Sequence, residues 1–430
     1  MMEPSSSQED SIDGHAGKRR KVAGTAEVRS ESAPELAAGH APGYAAFVVG
    51  TGSWFGAWGM QQVLFSWIVV GELRASSEWV GIAQTSTMLP ATLLLLAGGA
   101  LADRVDPRRL LIAMHALAVV PVLLLSVASA SGDLDLAILI AYGLTIGTIQ
   151  AFSMPARDTL LSRVAGADMM RAVTGMTAIQ FGSQACGTLL AALARVVGSA
   201  PMLVVQAATL LIGCFASRAI PASEPRPAAP TPHIRDLVRG VFLMVRTPEL
   251  RSPAIMVVAV GVLFVGPYMV VFPLMVRDYY AAGIDALSVV FMLFPLGTIT
   301  GSLVLRRRGI RRKGRAALLA LANGAIIEGV VGIGVPFGVL IGLILAWGLS
   351  GAVFINCSRT LYQEAAPADG RGSVLAVYQL GFMGGAPLGA MLSGFAIGAL
   401  GLHGTLQLAS AIMLSLVAGM AVFTSTRTME

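Results

Sequence analysis

Charge is scarce in this chain. Of its 430 residues only 13% are Asp, Glu, Lys or Arg, and the mean hydropathy is +0.74, which no water-soluble globule of this length shows. Cysteine is almost missing as well. Cys186, Cys214 and Cys357 stand in or at the end of separate apolar runs, with no CxxC and no metal-ligand spacing. That excludes a disulfide scaffold or a zinc module and leaves three small core- or lipid-facing side chains. No GxxxxGK[ST] sequence occurs, so ATP does not drive the protein directly. His, Asp and Ser nowhere cluster near one interface as a membrane enzyme requires, so the chain reads as a non-enzyme with no cofactor and no metal. The net charge of +6 does not make a nucleic-acid face either. All Lys and Arg except Arg74, Arg195 and Arg277 fall in the N-terminal tail or in alternate loops on one side, which is topology.

What the chain does have is long apolar runs. They lie at about 44–71, 79–98, 110–130, 136–154, 173–197 and 201–219. After a polar segment they resume at about 254–276, 286–305, 316–335, 337–356, 374–399 and 405–423. Each is about 20 residues, enough to cross a roughly 30 Å hydrocarbon core as a helix. Arginine clusters at 104–109, 157–171, 218–251, 306–315 and 359–371 mark one side as cytoplasmic. The expected fold is an all-α integral membrane protein of twelve transmembrane helices in two six-helix pseudo-repeat bundles. It should lie in a bacterial-type inner membrane with both termini inside. Its expected parts are a disordered tail at 1–42, bundles at 43–219 and 253–424, a linker at 220–252 and a short end at 425–430. No cleavable signal pattern is visible, and the first run would itself direct insertion. Lys18-Arg19-Arg20-Lys21 resembles a nuclear-localisation cluster, but ahead of such runs it reads as a charge anchor.

The linker opens with Pro221, Pro225, Pro227, Pro230 and Pro232, a stiff spacer. Residues 233–246 then put Leu237, Val241, Met244 and Val245 on one helical face, with Arg235, Asp236 and Arg239 mostly elsewhere. This predicts an amphipathic interfacial helix that tethers two halves, with a regulatory site as the alternative. The halves repeat weakly. Phe152-x4-Arg157 closes the fourth run as Phe354-x4-Arg359 closes the tenth, and Gln180-Phe181-Gly182 answers Gln379-Leu380-Gly381-Phe382.

Between the second and third runs stands Gly98-Gly99-Ala100-Leu101-Ala102-Asp103-Arg104-Val105-Asp106-Pro107-Arg108-Arg109. It resembles the loop 2–3 signature of the major facilitator superfamily, Gly-x-Leu-Ala-Asp-Arg-x-Gly-Arg-Lys/Arg. The chain departs from it at Asp106 and Pro107. The resemblance implies the major facilitator fold and a monomeric secondary transporter with a small-molecule substrate. It also implies that Asp103 sits against the start of helix 11, here Arg371-Gly372-Ser373, and helps latch one side shut. Gly99, Asp103, Arg104, Arg108, Arg157, Asp158, Arg359 and Arg371 are the expected gate, with Arg104 or Arg108 as partners of Asp103 and Arg108 as a partner for Asp158.

Met154-Pro155-Ala156-Arg157, Gly384-Gly385-Ala386-Pro387-Leu388-Gly389-Ala390 and Asp106 are similar to the enterobactin-exporter-like branch, which implies efflux of a siderophore or drug. An importer of the same fold is the alternative, and a polytopic enzyme or scaffold a more distant one. The fourth run is read as lacking the embedded Arg of many proton antiporters. In the fifth, Gly182-Ser183-Gln184-Ala185-Cys186-Gly187 stands where the antiporter signature reads Gly-Pro-x-x-Gly-Gly. Coupling to a proton gradient is therefore an expectation from the family.

Glu328 is the one acidic residue deep inside a run and the proton-coupling candidate. Ionised and unpartnered it would cost several kcal/mol, so Asn323 or water is its expected partner, with a peripheral structural role as the alternative. Glu72 and Asp278 read as solvated and His115 as a packing residue. In this fold helices 1, 4, 7 and 10 line the cavity. The candidate cargo residues are Trp54, Trp58, Gln61, Phe65, Tyr142, Thr145, Gln150, Phe264, Tyr268, Phe272, Trp347 and Phe354, joined by Gln184, Tyr378 and Gln379 from helices 5 and 11. Aromatic walls with sparse amides suit a bulky, partly apolar molecule. Helix packing with glutamine as glue is the plain alternative. Gly266-Pro267, Phe272-Pro273 and Gly385 to Pro387 should interrupt helices 7 and 11.

Overall fold

The computed structural model describes residues 43–164, 169–222, 234–308, 310–366 and 371–429, less the side chains of some helix-end positions that include Asp103 and Arg371. The expected tail at 1–42 and most of the proline spacer lie outside the described residues.

Hydrocarbon leaves a backbone no solvent to bond, so each crossing must satisfy its own N–H and C=O groups as a helix. α1 is Tyr44–Trp67, widened at its end into a π turn, Ile68–Glu72. α2 is Ser77–Leu93 with Leu95–Arg104, bent by 46° between them. α3 is Pro107–Ser131, α4 Leu136–Val164, α5 Met169–Ala191 with the short Ala194–Val197, and α6 Ser199–Arg218. A connector helix, Ile234–Arg246, leads to the second half. There α7 runs through Pro248–Val260 and Gly266–Leu274, with π turns at Gly261–Val265 and Met275–Tyr279. α8 is Ile284–Arg308, α9 Lys313–Val331 and α10 Phe337–Ala365. The last stretch, Arg371–Phe423, breaks at Gly401, where φ is 71°. Glycine adopts that backbone without penalty, and the chain turns back there, giving α11 before the break and α12 after it.

Among the described residues eight of these segments are long and apolar enough to cross a membrane, or nine with the bent pair. Val377–Phe423 among them is two crossings. α1 and α5, richer in Gly, Ser and Gln, complete the expected dozen and are held by their neighbours.

The start of α3 explains one departure from the family loop. The Asp106 carboxylate accepts from the Arg108 backbone N–H at 3.0 Å, and Pro107 takes the first helical position. Asp-Pro thus caps α3, where proline's missing N–H costs nothing.

Each half packs in the same pattern. α1 lies on α5, α2 on α4 and α3 on α6; in the second half α7 lies on α11, α8 on α10 and α9 on α12. Missing side chains set the closest crossings. A Cβ on Gly187 would come within 1.9 Å of the Gly56 carbonyl oxygen, and one on Gly389 within 2.3 Å of the Val262 carbonyl oxygen. Between the halves α2 packs on α11 and α5 on α8.

A sharper repeat than the sequence reveals lies where α1 and α7 end. The Leu73 and Ala75 N–H groups bond the Ile68 and Val69 carbonyls, and Arg74 between them has φ 45°. The Tyr280 and Ala282 N–H groups bond the Met275 and Val276 carbonyls, and Ala281 between them has φ 49°.

Candidate functional site

A polar seam runs across the middle of the bundle. Gln184 of α5 donates to the Gln62 side-chain oxygen at 3.3 Å, and the Gln62 amide reaches the Met269 sulfur of α7 at 3.5 Å. Ser66 donates to the Gln62 carbonyl at 2.7 Å, and Gln84 of α2 donates to the Ser66 hydroxyl at 2.8 Å. Four helices from both halves therefore share one chain of hydrogen bonds. Only Gln184 of this set was expected. Gln62, Ser66, Gln84 and Met269 were missed, although the Gln61-Gln62 pair and Gln84 are among the few amides inside apolar runs.

Polar links join the halves on both sides of this seam. Thr92 and Thr85 of α2 donate to the Met383 and Pro387 carbonyls of α11, each at 3.0 Å. Arg277 donates to the Val70 carbonyl at 2.7 Å while Asp278 holds its other nitrogens at 2.5 and 2.7 Å. Arg195 pairs with Asp285 at 2.5 Å. At Leu94 the second arm of α2 turns from α11 to α4, where Gly98 meets the Ala151 carbonyl. Among the described residues these hydrogen bonds and ion pairs lie on the Ser77 side of the bend, Thr92 two residues before it. Glu72 and Asp278 near that end are exposed as expected, Glu72 accepting from the Ser199 hydroxyl.

The expected aromatic residues are mostly buried, and their rings meet partners in their own bundle. Trp54 is buried against His115, ring centroids 5.1 Å apart, and His115 sits between the Leu111 and Gly50 carbonyls as a packing residue. Phe65 stacks on Tyr142 at 5.8 Å in the first bundle, and Phe272 meets Trp347 at 5.9 Å in the second. Phe264 and Tyr268 join that second cluster, and the Tyr268 hydroxyl donates to the Val290 carbonyl at 3.0 Å. Phe354 is buried, and Tyr378 bonds Ser358 at 3.2 Å beside Tyr362. These rings are the cores of their own bundles. A membrane helix is apolar all round, so a spacing of three or four residues identifies a face without saying what that face meets.

Trp58, Gln61 and Gln150 are half-buried, and Thr145 and Gln379 are exposed, the Thr145 hydroxyl being tied to the Ala141 carbonyl at 2.8 Å. Trp54, Trp58, Gln61 and Gln150 border a void of about 20 Å³ with Gln206, room for a single water. A groove of about 620 Å³ opens elsewhere, on α1, α5 and α6 around Gly52, Gly56, Gly182 and Cys186. The helix breaks expected at Gly266-Pro267 and Phe272-Pro273 are realised as the two π turns that flank Gly266–Leu274.

Several gate expectations are corrected. Arg108 reaches the Arg218 carbonyl of α6, tying α3 to α6 within one half, and does not pair with Asp158. Arg104 is exposed, and nothing lies within 4 Å of a Cβ placed on Gly99. Arg157 is only 6% exposed, its guanidinium 4.3 Å from the Phe55 ring centre and against the Met154 sulfur. α4 therefore does carry an embedded arginine, near one end, contrary to the sequence reading. Asp158 is exposed and within electrostatic reach of both Arg157 and, across the halves, Arg359, which is also exposed. The side chains of Asp103 and Arg371 lie outside the described residues.

Glu328 is fully buried with no hydrogen-bond partner on either oxygen. Asn323 donates instead to Ser350 at 2.7 Å, so the expected Asn323 partnership is absent. One turn before Glu328 on the same face, Gly324 lies against Trp347 and Phe264. The carboxyl is thus directed into the second bundle.

Comparison with known proteins agrees with this architecture. Residues 46–390 match the family model described as Major Facilitator Superfamily. No curated protein matches the sequence. Among solved structures, the nucleoside transporter NupG superposes with a TM-score of 0.70 at 14% identity, covering 89% of this chain and 99% of its own. A POT family transporter in complex with 5-aminolevulinic acid gives 0.67 at 14% identity, covering 90% and 97%. A bacterial homologue of the human lysosomal transporter Spinster, inward-facing and unoccupied, gives 0.65 at 10% identity, covering 90% and 97%.

Proposed function

The chain belongs to the major facilitator superfamily, and from that premise we propose that it exports an amphipathic small molecule, such as a siderophore, antibiotic or drug, by alternating access. The observation that supports this reading is a set of links between the halves that can break and reform: Arg277 to Val70, Arg195 to Asp285, and Thr85 and Thr92 to α11. Two bodies joined by a few polar contacts about a polar midplane are what a rocking carrier requires. The charge rule puts the arginine-rich end in the cytoplasm, with both termini there. The cargo meets Trp58, Gln61, Gln150 and Gln379, which are not sealed in either bundle, and the seam at Gln62 closes the path beyond them. Glu328 takes up the coupling proton. When the cytoplasmic end closes, Asp103 bonds the start of α11 and Asp158 meets Arg359.

Efflux of a panel of siderophores and drugs, from cells with and without the protein and with a protonophore, tests the whole. Export that needs the protein and stops with the protonophore is expected. Cargo accumulating only when the protein is present reverses the direction. Normal transport by Asp103→Asn removes the gate.

A further inference from the structure

The connector helix Ile234–Arg246 has three distinct sides. Met244 is buried, its sulfur 3.9 Å from the Tyr362 hydroxyl of α10, and Gly240 is buried one turn earlier. This side rests on the second half, where the helix also packs on the stretch Arg371–Phe423. The expected apolar face thus splits in two, because Val241 and Val245 do not follow Met244 into the protein. Val238 is 64% exposed, Val241 47%, Phe242 50% and Val245 59%. Steps of three, one and three residues make these four one continuous stripe on a side that packs on nothing described.

The third side is basic. The Arg246 guanidinium lies 4.0 Å from the Phe242 ring centre, and Arg251, at the start of α7, donates to the Val245 carbonyl at 2.5 Å. Both are exposed, as are Arg239, seven residues before Arg246 on the same edge, and the carboxylate Glu249. The stripe therefore ends between two guanidinium groups, which match phosphate in charge and geometry. The helix sits at the arginine-rich ends of α10 and α11, the level at which a bilayer passes from acyl carbon to headgroup phosphate.

We propose that the connector helix is a docking site for anionic phospholipid. Acyl carbon covers Val238, Val241, Phe242 and Val245, and Arg246 and Arg251 hold the headgroup phosphate. Met244 keeps the second half attached to the same helix, so that half is moored to the leaflet.

The test uses the full-length protein with its native cysteines replaced, in nanodiscs of phosphatidylcholine with or without phosphatidylglycerol. A nitroxide is placed in turn at Val238→Cys, Val241→Cys, Phe242→Cys, Val245→Cys and, as the water-facing control, Glu249→Cys. The four stripe labels should be reached by oxygen and shielded from a nickel chelate, more so with phosphatidylglycerol, while the control sees the chelate. Arg246→Gln and Arg251→Gln should each weaken phosphatidylglycerol retention by about fivefold, and lysine at either position should restore it. Stripe labels open to the chelate in both lipids overturn the proposal, as do labels shielded from both reagents, which indicate a protein cover. Equal shielding in both lipids with no effect of the arginines overturns the phosphate assignment. None of these readouts requires cargo, so they stand apart from the export assay.

Discussion

Val70 and Arg277 hold equivalent places in the two halves, 207 residues apart, and the guanidinium of one donates to the carbonyl of the other. The same offset separates Gln62 from Met269, which also touch. Counterparts can meet only where the axis relating the halves passes between them. Two such contacts, one at the seam and one between the π turns that end them, trace that axis along α1 and α7.

Arg277→Gln should loosen the halves where α1 and α7 end. A hydrogen bond from a charged donor contributes about 1.5–3 kcal/mol, so the balance between end states should move by roughly tenfold or more toward opening at that end. Spin-label distances between Asp133→Cys and Val339→Cys, both exposed at that end, read the shift. An unchanged distance distribution would leave Arg277 with no role in closure.

Gly187→Ala and Gly389→Ala should each lower the melting temperature, because either methyl group meets a carbonyl oxygen of the partner helix. Overpacking of this kind costs about 1–3 kcal/mol. Gly182→Ala is the matched control. Its Cβ meets nothing within 4 Å, and alanine gains up to about 1 kcal/mol over glycine in a helix. Thermal unfolding in detergent separates the three.

Glu328→Gln removes the titratable proton but keeps the shape of the side chain. If Glu328 couples transport, the variant should still exchange cargo across proteoliposomes yet fail to concentrate it under an imposed pH gradient. Because neither carboxylate oxygen has a partner, stability should not fall. Concentrative transport by the variant would assign coupling elsewhere.

Arg157 and Phe55 should show coupling in a double-mutant cycle of Arg157→Met and Phe55→Leu. A desolvated guanidinium over a ring is worth about 2 kcal/mol, and the interaction energy of the cycle isolates it. Additive losses would mean that the stacking at 4.3 Å contributes nothing beyond packing.

Much of this was legible beforehand. The runs, their count and the charged loop followed from hydrophobic length and arginine placement, which membrane physics constrains tightly. The Asp106-Pro107 cap was visible as an anomaly and needed only the backbone to explain it. Direction within the bundle was not legible. Trp54 and Tyr142 sit at the spacing of a cavity wall, yet turn toward His115 and Phe65 inside the first half. Gln62 was passed over for Gln61 because neighbouring residues on a helix differ by about 100° in direction, and no polar face told them apart. Arg157 was read as a loop residue because the apolar run ends before it, whereas α4 continues to Val164 and buries it against Phe55.

The corners after α1 and α7 carry a conformational implication. Arg74 and Ala281 each adopt a left-handed backbone that costs a non-glycine residue about 1–2 kcal/mol. Each follows a widened turn closed by the same pair of N–H donors. An unfavourable conformation reached twice, 207 residues apart (281 − 74) and with the same bonds, is a requirement of the fold. An arginine and an alanine serve alike at that point, so the path of the backbone, and not the side chain standing there, dictates how each half leaves its leading helix.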